Sequence, residues 1–273
     1  MTDDAVVGTD VELRYGDLVA VAESSFRIRA GSRVSMIGPN GSGKSTLLAG
    51  LAGLHEPSAG EIEVLGTSPS RARRRVALVP QSTNVSDVLP VTVREVVMMG
   101  RYPSLGFTSR FGSEDRRSVD AAIQCLQLEG LVHHHLGELS GGQRQRVFVA
   151  QGLAQDRDIL LLDEPTTALD LVSTQIVESV ITDERASGRT VVITTHSLSE
   201  AALSDHVILL AGRVVAEGPP ESVLTPDILS EAYATRIVDL EGSLLVDDPA
   251  HRIAEPPHTH IDRASGTHAH RSQ

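Results

Sequence analysis

The chain has 273 residues, 40% of them hydrophobic and 22% charged, an ordinary globular composition long enough for one large domain with small lobes. Its formal net charge of −12 argues against nucleic-acid binding, which needs surplus Lys and Arg, and its single cysteine, Cys125, excludes an intrachain disulfide and suits a reducing cytosol. No stretch approaches the roughly 20 apolar residues that span a bilayer, and the acidic start Met1-Thr2-Asp3-Asp4 lacks the apolar core of a secretory signal. Any membrane attachment is therefore expected to come through a partner.

Val11-Glu12-Leu13-Arg14-Tyr15 alternates as a strand does, and so does Phe26-Arg27-Ile28. Arg33-Val34-Ser35-Met36-Ile37 is a short apolar strand that stops at Gly38. A helical pattern runs from Lys44 to Leu54 and stops near Pro57. Glu61–Val64 and Val76–Val79 read as strands, the second ending at Pro80-Gln81. Arg71, Arg73, Arg74 and Arg75 read as a charged loop and strand edge. Residues 92–136 read as mostly helical, with a break around Tyr102 to Gly112. His133-His134-His135 reads as a solvated helix end. Ile159–Leu162 and Val191–Thr194 are continuous apolar runs, as buried parallel strands require. Val207–Leu210 and Arg213–Val215 suggest a final hairpin across Ala211-Gly212. Strands alternating with helices indicate an α/β fold. From about Asp247 the chain turns polar and His-rich, with Pro256-Pro257, and residues 247–273 read as a disordered tail.

Gly38-Pro39-Asn40-Gly41-Ser42-Gly43-Lys44-Ser45 fits G-x-x-x-x-G-K-[ST] between a strand and a helix. The glycines let backbone N–H groups turn inward around phosphates, and the helix N-terminus adds partial positive charge. Lys44 is expected to reach the β- and γ-phosphates, and Ser45 to offer its hydroxyl to Mg²⁺. Leu160-Leu161-Leu162-Asp163-Glu164 brings two carboxylates to the mouth of an apolar strand, where they are costly unless they hold a metal or do chemistry. Asp163 suits Mg²⁺ through water, and Glu164 suits polarisation of an attacking water. His196 closes the run Val191 to Thr195, on a strand expected beside that of Glu164. Leu139-Ser140-Gly141-Gly142-Gln143 precedes a helical run to Leu153 and forms a second anion-binding helix N-terminus. One γ-phosphate does not need two such sites from one molecule, whereas a dimer that sandwiches each nucleotide uses both.

Taken in order, these motifs resemble the ABC-family ATPase domain over about residues 5–240. The match comprises a Walker A loop at 38–45, Gln81 as Q-loop glutamine, the signature Leu139 to Gln143, Walker B ending at Asp163, then Glu164, the D-loop Ala168-Leu169-Asp170, and His196 as switch histidine. The resemblance implies a P-loop fold with a mostly parallel core sheet, an antiparallel β subdomain, and a helical subdomain at about 85–150. It implies ATP and Mg²⁺ as ligands. Tyr15 would stack on adenine, Gly38 through Thr46 and Gln81 would contact the nucleotide, and Ser45, Gln81 and Asp163 would serve the metal. Lys44, Glu164 and His196 would act in hydrolysis. Ser140, Gly141, Gly142 and Gln143 would meet the nucleotide of a partner copy in a head-to-tail homodimer, with Asp170 coupling the two sites. Gln81 and the helical subdomain would face integral-membrane permease subunits at the cytoplasmic face of the inner membrane.

The docking region, Val91-Thr92-Val93-Arg94-Glu95-Val96-Val97-Met98-Met99-Gly100-Arg101-Tyr102-Pro103, resembles the branch that imports zinc or manganese with a solute-binding protein. Iron-siderophore importers share a similar Gly-Arg-Tyr-Pro stretch, and an iron-siderophore or haem importer is the competing reading. A soluble ABC ATPase of translation or repair is another rival, but those usually carry two such domains or a long coiled-coil insertion, for which this chain has no room. His258, His260, His268 and His270 are spaced two apart in pairs, which makes them candidate transition-metal ligands on a flexible tail.

Overall fold

The computed structural model describes residues 4–81, 90–105 and 110–233, together with the backbone of strands at 237–240 and 243–246. β1 (Asp4–Tyr15) and β2 (Leu18–Arg29) pair antiparallel across Gly16-Asp17. Gly16 has φ 58°, which this two-residue turn requires. β3 (Arg33–Ile37) is buried at every position and leads through the phosphate loop into α1 (Lys44–Leu51), three residues shorter than its sequence pattern suggests. β4 (Ala59–Val64) returns to the other edge of β1, which completes a three-stranded antiparallel sheet in the order β2-β1-β4.

The arginine run is not a loop. α2 (Pro69–Ala72) takes Pro69 at its first position, where a missing N–H costs nothing, and a 3₁₀ turn at Arg73–Arg75 follows. Arg73 Nη2 donates to Gly53 O at 2.6 Å, and Arg75 pairs with Asp158 at 2.8 Å, so two of the four arginines tie this turn to its neighbours.

β5 (Val76–Val79) enters the main sheet. α3 (Val93–Met99), opened by a Thr92/Glu95 capping box, is followed by α4 (Ser113–Cys125) and α5 (Gly141–Leu153). These helices pack on one another, and α5 also packs on β5. α3 approaches α5 closely because a Cβ on Gly100 would lie 2.2 Å from Gln151 O. His133, His134 and His135 are exposed, as expected, but they follow a 3₁₀ turn at Glu129–Leu131 and do not end a helix.

β6 (Ile159–Asp163), α6 (Leu171–Ala186), β7 (Thr190–Thr194), α7 (Leu198–Ala201), β8 (His206–Leu210) and β9 (Val214–Gly218) follow. The main sheet has the order β5-β6-β7-β3-β8-β9, parallel except for the β8–β9 hairpin. That hairpin is not the last. α8 (Pro220–Val223), α9 (Pro226–Tyr233) and the antiparallel pair β10 (Ile237–Leu240) and β11 (Ser243–Val246) come after it.

Strand pleat divides the core into two faces. Leu160, Leu162, Val191 and Ile193 look toward the helices α3 to α6, while Ile159, Leu161, Val192, Val34 and Met36 look toward α1 and the three-stranded sheet. Burial on both sides explains why β6 and β7 read as unbroken apolar runs. The strand ends carry the polar residues. Among the described residues no helix is long and apolar enough to cross a membrane.

Candidate functional site

The loop after β3 is shaped by contacts that leave no room for side chains. At φ 148°, Gly38 would place a Cβ 2.0 Å from Leu210 O, and Gly43, at φ 99°, would place one 2.6 Å from Ala20 O. Gly43 also caps α1 without a side chain, and the first turn of α1 holds no acid. Its leading N–H groups are therefore left for an anion. Ser42 Oγ is buried without a hydrogen-bond partner, a second sign that the loop is built around a polar ligand.

Lys44 is buried, and its Nζ donates to Gly38 O at 2.8 Å and Pro39 O at 3.0 Å. Burial pulls its ammonium below the ordinary lysine range, opposed by the nearby carboxylates of Glu164 and Asp163. The cation thus sits between the phosphate loop and the end of β6.

There β6 and β7 lie side by side, with Asp163 opposite Thr194. Thr194 Oγ1 donates to Asp163 Oδ1 at 2.5 Å and accepts from Glu164 N at 2.8 Å. Glu164 has φ 48°, an uncommon conformation for a residue with a side chain, and the bond to Thr194 helps hold it there. Its Oε1 meets His196 Nε2 at 2.5 Å. Its Oε2 accepts from Gln81 Nε2 at 2.6 Å and from Thr167 Oγ1 at 3.2 Å. Gln81, Glu164 and His196, three residues remote in sequence, therefore meet at one carboxylate, with Lys44 and Asp163 beside it. Sequence reasoning missed Thr194. A hydroxyl closing the apolar run Val191 to Ile193, two residues before His196, was the available signal.

For a hard cation such as Mg²⁺, which takes oxygen ligands, the exposed Ser45 hydroxyl, the Asp163 carboxylate and the oxygen of the Gln81 amide are a fitting donor set. Gln81 spends its nitrogen on Glu164, which leaves the oxygen as its acceptor.

Ser140 caps α5. Its hydroxyl accepts from Gln143 N at 3.2 Å, and Gln143 Oε1 accepts from Ser140 N at 2.9 Å, a complete capping box. Ser140 and Gly141 are exposed, and Gly142 is buried. Asp170 Oδ1 accepts from Ser173 N at 2.8 Å and caps α6. Tyr15 is 53% exposed at the end of β1, and its ring lies 4.5 Å from that of His55. Asn40 is exposed, and Pro39 and Thr46 are partly buried. His258, His260, His268 and His270 lie outside the described residues.

The family model for ABC transporters matches residues 21–167, from β2 through the acidic end of β6 and the loop after it. The chain belongs to the ABC transporter family. It is 38% identical over 234 residues to a zinc transport system ATP-binding protein of Treponema pallidum, covering 85% of this chain and 88% of that one. A manganese transport system ATP-binding protein of Listeria monocytogenes is 36% identical over 222 residues, with 81% and 92% covered. A chelated iron transport system protein of Yersinia pestis is 38% identical over 234 residues, with 84% and 79% covered. Among solved structures, an inward-facing metal-chelate type ABC transporter superposes with TM-score 0.75 at 29% identity, covering 89% of this chain and 95% of that one. A dimeric bacterial ABC transporter cassette superposes with TM-score 0.70 at 30% identity, covering 79% and 98%. As an ABC transporter ATPase, the chain binds and hydrolyses ATP, and the fold expected from its motifs is the one observed.

Proposed function

We propose that this ABC ATPase drives import of a divalent metal cation, zinc or manganese, as a homodimer on the cytoplasmic face of an inner-membrane permease served by a solute-binding protein. The zinc and manganese relatives support the cargo. The observation that carries the hydrolytic reading is the Glu164 carboxylate, gripped by His196 and Gln81 beside Lys44.

In this reading the backbone N–H groups of the loop from Gly38 to Thr46, Pro39 excepted, cradle the phosphates, and the exposed ring of Tyr15 stacks on adenine. Lys44 leaves the two loop carbonyls for the γ-phosphate, a stronger partner for a buried ammonium. Ser45, Asp163 and Gln81 would hold Mg²⁺, which when bound supplies positive charge to the β- and γ-phosphate oxygens. Glu164, released by Gln81, orients a water in line with the γ-phosphate. His196 turns from Glu164 to the γ-phosphate. Ser140 and the first amides of α5, from the partner copy, close the site, and two-fold symmetry gives each nucleotide the same pair of helix ends. Asp170 couples the two sites. Gln81 and the helical segment at about 85–150 carry the change to the permease.

Cellular metal content tests the cargo. Loss of the chain should lower zinc or manganese accumulation, and restoring it should recover the lost metal. The Yersinia relative supports a second reading, chelated iron. Unchanged zinc and manganese together with lost iron uptake would replace the first reading with the second.

A further inference from the structure

Ser197-Leu198-Ser199-Glu200 has the form of a capping box, S-x-x-E, at the start of α7. Only half of that box is built. Ser197 Oγ accepts from Glu200 N at 3.2 Å, but Ser197 N donates to Thr195 Oγ1 at 3.0 Å and not to the glutamate. The Glu200 carboxylate leaves its own helix end. Its Oε2 accepts from Thr195 Oγ1 at 2.6 Å, and its Oε1 accepts from Thr166 Oγ1 at 2.9 Å. Thr195 adjoins His196, and Thr166 lies in the loop just after Glu164. One carboxylate therefore spans the two loops that carry the hydrolytic acid and the switch histidine.

Its base is rigid. Ala201, the next residue, is fully buried and packs with Ile37, Val207 and Leu209, and α7 rests on β3. Thr195 is buried as well. No cation pairs with Glu200 among its described bonds; its two oxygens are taken by threonine hydroxyls from two different loops. A carboxylate that gives up a local cap to bridge two distant loops fixes the distance between them.

We propose that Glu200 is a positioning residue for ATP hydrolysis, which sets Glu164 and His196 at the separation the reaction needs. The proposal rests on the reading of those two residues as hydrolytic. It concerns the step after binding, because none of the described hydrogen bonds of Glu200 reaches the phosphate loop or Tyr15. Misplacing a reacting group by about 1 Å costs about a hundredfold in rate.

The test is steady-state hydrolysis by the full chain carrying Glu200→Ala, Glu200→Gln or Thr166→Val, with Glu164→Gln measured alongside. Glu200→Ala should lower kcat about tenfold to a hundredfold, with KM for ATP within about twofold of the parent and the thermal midpoint unchanged. Glu200→Gln keeps one acceptor oxygen and should recover part of the rate. Thr166→Val removes one arm and should lower kcat at constant KM; it carries the test if Glu200→Ala does not fold. Parental kcat in Glu200→Ala or Thr166→Val would overturn the proposal, as would a rate loss that only follows loss of folded protein. Near-normal hydrolysis by Glu164→Gln would instead overturn the underlying reading, which separates the two failures.

Discussion

A Cβ on Gly142 would stand 2.8 Å from Asp170 Oδ2 and 2.8 Å from Ser173 Oγ. The first turn of α5 thus rests directly on the cap of α6. Hydrogen bonds from Ser173 N and then from its hydroxyl hold the Asp170 carboxyl below the usual carboxylate range. The signature segment and the D-loop, the two segments that the dimer reading sends toward the partner, are therefore one unit within a single chain.

Gly142→Ala is expected to break that unit. The added methyl has to displace Asp170 or Ser173, so α6 loses its cap and the α5 end tilts. The phosphate loop is untouched. A fluorescent ATP analogue should bind the variant as it binds the parent, while ATP-dependent dimerisation, followed by light scattering, is lost and turnover falls about tenfold or more. A dimer of parental strength would show that the close approach is packing alone.

Glu164→Gln separates binding from hydrolysis. Glutamine preserves the size of the side chain and keeps an acceptor for Gln81, but it cannot take up the proton of an attacking water. Hydrolysis should fall about a hundredfold or more. ATP binding should persist, and the ATP-bound dimer should accumulate, visible as a stable species in size-exclusion chromatography. Near-parental hydrolysis would remove Glu164 from its role.

Much of this arrangement is legible in the residue pattern, because the phosphate loop, the acid pair and the signature are local in sequence and each needs particular residue types. The apolar runs of β6 and β7 are likewise self-reporting, since both faces of those strands are covered. The bridges are not legible. Thr194 serves Asp163 and Glu164 from the neighbouring strand, and only the β6–β7 register brings them together. Glu200 imitates a local cap, so its sequence pattern points to the wrong partner. The arginines at 71, 73, 74 and 75 are solvated, as their charge suggests, but the pattern does not show that Arg73 and Arg75 also reach a carbonyl and a carboxylate far along the chain.

Arg101 makes a prediction about the helical region. Its guanidinium is nearly buried, with Nε donating to Asp115 Oδ1 at 2.9 Å and Nη1 donating to Ala154 O at 3.1 Å and Gln155 O at 3.2 Å. One side chain thus ties the end of α3 to α4 and to the end of α5. Arg101→Ala leaves the Asp115 carboxylate and two carbonyls without their partner in a low-dielectric setting. Stability in urea unfolding should fall by about 3 kcal/mol. A loss below about 1 kcal/mol would place the pair with ordinary surface ion pairs.

The last prediction concerns acid. Burial alone would raise the Asp205 carboxyl, but hydrogen bonds from Arg185 and from the N–H of Arg33 outweigh it and hold the group below its ordinary 3.8. The folded chain therefore binds fewer protons at this site than the unfolded chain near that pH. The resulting stabilisation is complete above the ordinary value and disappears as pH falls through the lower, folded one. Asp205 joins the start of β3, the strand that carries the phosphate loop, to the C-terminal end of α6, so its loss should be felt by the whole sheet. Asp205→Asn should lower the thermal midpoint at pH 7 and flatten its decline between about pH 5 and pH 2. The parent and variant curves should converge at the acid end. Curves that stay parallel over that range would mean that Asp205 titrates as a free carboxylate does.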